Sequence, residues 1–96
     1  MGKAKGGGII KLVLEKQPQK YLKSVDEPTR KKLWKALDKL RNLDGDIVKL
    51  QGYDNLYRFK IYHYRFLFSI DREGQIVIVS AIDTRSNTKY WLRAYK

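Results

Sequence analysis

Tyr57-Arg58-Phe59-Lys60-Ile61-Tyr62-His63-Tyr64-Arg65-Phe66-Leu67-Phe68-Ser69-Ile70 is the stretch on which the fold turns. Apolar side chains and cations alternate at period two over residues 57–62, which predicts a strand. Residues 64–70 form a second strand-like run, and the gap between the two leaves room only for a hairpin turn near His63. Tyr57, Phe59 and Ile61 then share a core face, and Arg58, Lys60 and Tyr62 share the other. On the partner strand Arg65, Leu67 and Ser69 point the same way, with Arg65 across from Lys60 or its neighbour. Arg85, just past a third strand, joins from the sheet edge. Converging cations repel, so such a cluster is stabilised by a bound anion. The alternative is that each pairs with an acid such as Asp54, Asp71 or Asp83; for Arg85, two residues from Asp83, both readings stay open.

Working outward, residues 71–74 read as a turn and 75–82 as a third strand, whose Ile/Val run predicts burial on both faces. Upstream, residues 9–14 read as a short strand with Ile10, Leu12 and Leu14 on one face. Residues 17–25 follow with one or two helical turns, opened by Pro18. Asp26 is the expected N-cap of a second helix. Its apolar stripe is Leu33, Trp34, Leu37 and Leu40, with Trp34 assigned to the core. Arg30, Lys31, Lys32, Lys35, Lys39 and Arg41 decorate its other faces and read as a solvated basic surface. Asn42-Leu43-Asp44-Gly45 is a stop and turn signal, and residues 46–52 read as a linking loop. Residues 88–95 read as a short terminal helix or arm. The order β-α-α-β-β-β predicts an α+β domain with a mostly antiparallel four-stranded sheet and two helices packed on one face. Residues 1–8 are glycine-rich and read as a flexible segment, leaving 9–96 as one domain.

Composition bounds the function. The 96 residues carry 21 Lys and Arg against 10 Asp and Glu, a formal charge of +11. Residues 1–48 and 49–96 carry +6 and +5, so no detachable tail explains the excess. Such a charge on one small domain favours nucleic acid or an acidic protein as partner. There is no cysteine and a single histidine, which argues against thiolate or histidine metal sites and against disulfides. No apolar stretch is long enough to span a membrane and no leader pattern is visible, so an intracellular, cytoplasmic protein is expected.

Several segments, in order, resemble the RelE/ParE superfamily of bacterial toxins, on its RelE-like branch. They are Lys49-Leu50-Gln51-Gly52, Leu56-Tyr57-Arg58-Phe59-Lys60-Ile61, Tyr64-Arg65-Phe66-Leu67-Phe68, and Asp83-Thr84-Arg85 followed by Tyr90. The resemblance covers nearly everything after the glycine-rich start. It implies a ribosome-dependent, metal-independent endoribonuclease without cofactor, which cuts mRNA in the ribosomal A site. The 2′-hydroxyl attacks the adjacent phosphate and leaves 2′,3′-cyclic phosphate and 5′-hydroxyl ends. The implied partners are mRNA, the ribosome and a cognate antitoxin.

Carried over residue by residue, Lys60 takes the place of the general base, and Arg65 that of the arginine stabilising developing charge. Arg85 matches the arginine that supports the leaving 5′-oxygen, and Tyr90 the tyrosine that orients a base. Arg58 and Lys49 fall at RNA-binding positions. His63 departs from the family, which often has Gly-Asp in that turn. It is expected to contact RNA; whether it also transfers protons or only caps a turn is left open. Two alternatives are a ParE-like gyrase inhibitor, which shares the fold but lacks the RNA-cutting cations, so that Lys60, Arg65 and Arg85 together argue for the RelE-like branch, and a non-catalytic RNA- or protein-binding module that keeps the basic patch only for docking.

Overall fold

The computed structural model describes residues 11–71, 73–84 and 87. In chain order the elements are β1 (Lys11–Leu14), α1 (Lys16–Ser24), α2 (Glu27–Arg41), β2 (Asp46–Lys49), β3 (Tyr57–Ile61), β4 (Tyr64–Ile70) and β5 (Ile76–Thr84). They form one five-stranded sheet in the order β1-β5-β4-β3-β2. Only the β1–β5 pairing is parallel; the others are antiparallel. The expected α+β architecture is present, with one strand more than expected. Residues 46–49 are β2, paired with β3, where a loop was expected. Four residues are too few for periodicity to register. Only Ile47 of the four turns its side chain into the core.

The helices form because their ends are satisfied locally. Asp26 caps α2 as its position predicts, accepting from the Thr29 N–H at 3.1 Å. Arg30 donates to the Leu22 and Val25 carbonyls at 2.8 and 3.0 Å, so one guanidinium closes the α1–α2 corner on the orphan carbonyls of α1. The α1 entry is tied to the sheet by Gln17. Its side-chain amide donates to the Ile82 carbonyl and accepts from the Ile82 N–H, both at 2.8 Å. This is the bonding of a strand neighbour, supplied by a side chain where β1 ends opposite Val79. After α2 the chain reverses through Leu43 at φ +52° and Gly45 at φ +134°. A Cβ on Gly45 would stand 2.5 Å from Phe59 Cε1, so glycine is required both for the turn and for space.

Leu33, Ala36, Leu37 and Leu40 of α2, with Leu22 of α1, pack on Phe59, Phe66, Phe68, Val77, Val79 and Ile82 of the sheet. Val77 and Val79 are fully buried while Ile76 and Ile78 are half-buried, so β5 is closed on one face and only partly on the other. Trp34 is not in the core. It is 43% exposed, because the stripe runs through positions 33, 36, 37 and 40, and position 34 lies about 100° around the helix from Leu33. The expected strand residues Ile9 and Ile10 and the expected arm at 88–95 lie outside the described residues.

The sheet's second face is half covered. Leu50 and Tyr53 fold over it onto Leu56, Leu67 and Ala81. Asn55 pins this loop: its amide donates to the Ile70 carbonyl at 2.6 Å and accepts from the Ile70 N–H at 3.2 Å. Among the described residues, this loop does not extend over the end of the face nearest the β3–β4 turn.

Truncation separates the two helix positions. Leu37→Ala should cost about 2–5 kcal/mol in urea unfolding, and Trp34→Ala about 1 kcal/mol or less. A loss at Trp34 equal to that at Leu37 would contradict this placement of α2.

Candidate functional site

The β3–β4 register is Arg58 opposite Leu67, Phe59 opposite Phe66, Lys60 opposite Arg65 and Ile61 opposite Tyr64. Lys60 and Arg65 are therefore direct cross-strand neighbours, whose Cβ atoms lie about 5 Å apart in such a pair. The row continues outward on both sides. Asp46 of β2 lies opposite Lys60, and Asp83 of β5 lies opposite Arg65. Four strands thus contribute acid, cation, cation, acid in one line. In the next row Arg58 stands between Val48 and Leu67, with Ala81 beyond.

The three cations sit differently. Lys60 is exposed. Arg58 is half-buried, and one guanidinium nitrogen lies 3.7 Å from an Asp46 carboxylate oxygen. Its Nε is buried and has no hydrogen-bond partner among the described residues. Arg65 is only 8% exposed and donates from Nη1 to the Tyr64 carbonyl at 3.0 Å. The three cations converge as expected from the alternation, but Arg65 is buried in the sheet. Burial of a guanidinium needs nearby acceptors and charge, and its position opposite Asp83 supplies the charge. Asp83 Oδ1 in turn accepts from the Thr84 N–H at 2.8 Å and from the Asn87 side chain at 3.2 Å.

Lys49 is not brought to this patch. It pairs with Tyr57 and shares the Ile47 side of β2, so it lies on the opposite face from Lys60. His63 is exposed in the turn, its ring centroid 4.1 Å from that of Tyr64. Arg85 and Tyr90 lie outside the described residues. Of the acids weighed from sequence, Asp71 holds the β4–β5 turn by accepting from the Gln75 and Ile76 N–H groups at 2.7 Å. Asp54 lines a groove of about 520 Å³ with Ser69 and Ser80, farther along the same face. Asp46 was missed. Its segment, Asp46-Ile47-Val48-Lys49, carries two adjacent apolar residues between charges and no period-two alternation, and is too short to separate from a loop.

Tyr21 marks the electrostatics behind the row. Its ring meets Tyr64 edge-on at 6.4 Å. Burial, then the Asp83 carboxylate, then Tyr64 push its hydroxyl pKa above the usual tyrosine value.

No protein-family model and no curated protein sequence matches the chain. Solved structures do. RelE in the RelE–RelB complex of Pyrococcus horikoshii is 21% identical, at a TM-score of 0.66, with 83% of this chain and 99% of that chain covered. The RelB–RelE antitoxin–toxin complex of Methanococcus jannaschii gives 25% identity, a TM-score of 0.64, and coverage of 82% and 96%. A mutant of the E. coli toxin RelE in the free state gives 19%, 0.66, and 88% and 93%. The chain has the RelE-like toxin fold.

The raised Tyr21 pKa has a consequence with a definite sign. The folded state favours the neutral phenol, so this stabilisation is complete below about pH 10 and is lost as pH rises through the raised value. Urea unfolding followed from pH 9 to 11 should show a decline in stability that is shallower for Tyr21→Phe. Parallel declines for both proteins would remove Tyr21 as the cause.

Proposed function

We propose that this protein is a RelE-family toxin, a metal-independent endoribonuclease that cuts mRNA in the ribosomal A site and is held inactive by a cognate antitoxin. The observation that carries the reading is the cross-strand pair Lys60–Arg65 with Arg58 in the adjacent row, on the sheet face turned away from the helices. The RelE-like fold supports it. An antitoxin partner is supported by two of the similar structures being complexes of RelE with RelB. The cytoplasm is where such partners would be met.

In this reading Lys60, the exposed cation, removes the proton of the 2′-hydroxyl as the oxygen attacks phosphorus. The bond from phosphorus to the 5′-oxygen breaks, that oxygen takes up a proton, and a 2′,3′-cyclic phosphate remains. Arg58 grips a non-bridging oxygen through the partly exposed end of its guanidinium. Arg65 acts from below as a fixed positive charge. The pentacoordinate phosphorane carries more charge than the diester, so fixed cations favour it differentially. Arg85 supports the leaving oxygen, Tyr90 orients a base, and His63 contacts RNA at the turn. Lys49, on the far face, has no part in the cleavage step.

The carboxylates at both ends of the row support one second reading, in which the patch holds RNA without cutting it. Primer extension on message from an in vitro translation reaction distinguishes the two. Codon-position cuts with cyclic-phosphate ends are expected. Lys60→Ala should slow cutting by about 100-fold or more with unchanged melting, since the side chain is exposed. Intact message with the parent protein bound to ribosomes would favour the second reading. Undiminished cutting by Lys60→Ala would reject the assignment of the base.

A further inference from the structure

The hairpin that presents Lys60 and Arg65 turns through Tyr62 and His63, and Tyr62 is out of place by two measures. Its φ is +55°, in the left-handed region where a bulky side chain is strained and glycine is not. It is also 57% exposed, the most exposed of the large apolar side chains among the described residues. A turn that needed only to reverse the chain would be easier to form with glycine or asparagine here. Strain combined with exposure at a conspicuous position points to a role outside folding.

The surroundings say what role. Tyr62 lies in the turn two residues beyond Lys60, at most about 7 Å of chain from it, within the scale of one step along an unstacked nucleic-acid strand. The Lys32 ammonium of α2 lies 5.1 Å from the centroid of its ring. The ring thus stands at the seam between the cation-bearing face of the sheet and the lysine-rich flank of α2, where Lys32, Lys35 and Lys39 are exposed. An ammonium against an aromatic ring fixes its orientation, and the combination of ring and lysine is what a base and its phosphate require together.

We propose that Tyr62 is a base-stacking residue: an unpaired RNA base lies on its free ring face, and Lys32, against the ring, meets the adjoining phosphate. The strand leaving the Lys60–Arg65 pair would then turn over the hairpin tip instead of continuing along the sheet. This rests on the RNA-cleaving reading above and adds a contact to it. The ring touches RNA but no reacting atom, so it sets which base is held and how firmly.

The test uses the full chain and a single-stranded, fully 2′-O-methylated oligoribonucleotide, which cannot be cut, carrying 2-aminopurine at successive positions. The parent should quench the probe at one position, and Tyr62→Phe should match it. Tyr62→Gly and Tyr62→Asn should lose that quench and bind about tenfold more weakly, by a ratio that stays constant between 50 and 200 mM salt. Both should melt no lower than the parent, because each relieves the turn. An abasic site at the quenched position should erase the difference between parent and Tyr62→Gly. Quenching and affinity in Tyr62→Gly equal to the parent's would overturn the inference. If that variant also cuts message normally while Lys60→Ala does not, the inference falls alone and the nuclease reading stands. A parent that cuts message but does not bind the oligonucleotide would also overturn the inference alone, whereas failure of the parent to cut message would bring down both.

Discussion

The structure depends on one pairing register. Phe59 opposite Phe66 and Lys60 opposite Arg65 are consecutive rungs of the same ladder, one facing the helices and the next facing away. The side-chain period of a strand is two, so a slip of one residue would send the cations under α2 and the phenylalanine rings into water. No compensation is available for that exchange. Burying Lys60 and Arg65 among Leu33, Leu37 and Leu40 without partners would cost several kcal/mol for each ion. The register is therefore set by the core, and the charged face follows from it without separate specification. A short turn enforces the same register from the other end, at the cost of holding Tyr62 at a positive φ.

The two sheet faces are covered by different means, and within the cation row Lys60 stays exposed while Arg65 is buried. On one face the helices supply continuous apolar packing. On the other, residues 50–56 cover only the part around Leu67 and Ala81. Both covers are fastened by a side-chain amide that imitates a strand: Gln17 on Ile82 and Asn55 on Ile70. An amide carries one donor side and one acceptor, so it satisfies both groups of a single strand residue. Neither attachment requires a further strand.

Much of this was legible in the sequence, for reasons that also explain what was not. The hairpin was legible because alternation persists over six residues and the gap between strands admits only a turn. Asp26 was legible because N-capping is local chemistry. Strand β2 was not: four residues at a sheet edge carry too little periodicity, and with it went Asp46 and the true facing of Lys49. Trp34 was misplaced because large apolar size was taken for burial, whereas α2 buries the smaller Ala36 at the angle the stripe requires. The burial of Arg65 is not legible either, because a sequence does not reveal that this arginine lies opposite Asp83 of β5.

The pairing of acids and cations in this row has an energetic logic of its own. Two cations directly opposite on neighbouring strands destabilise a sheet. Here Asp46 and Asp83 flank them, leaving three cations against two carboxylates when Arg58 is included. The flanking charges make the empty site tolerable, but they do not neutralise it equally. Arg65, buried and opposite Asp83, is held in place; Arg58 meets Asp46 only at 3.7 Å and half exposed, an interaction worth about 1 kcal/mol or less. An incoming phosphate would compete easily for Arg58 and hardly at all for Arg65. One arginine can thus exchange partners while the other stays preorganised, and a fixed charge is most effective where charge develops during reaction, because it need not reorganise. In the proposed nuclease reading, the burial of Arg65 would be the property that suits it to stabilising a transition state.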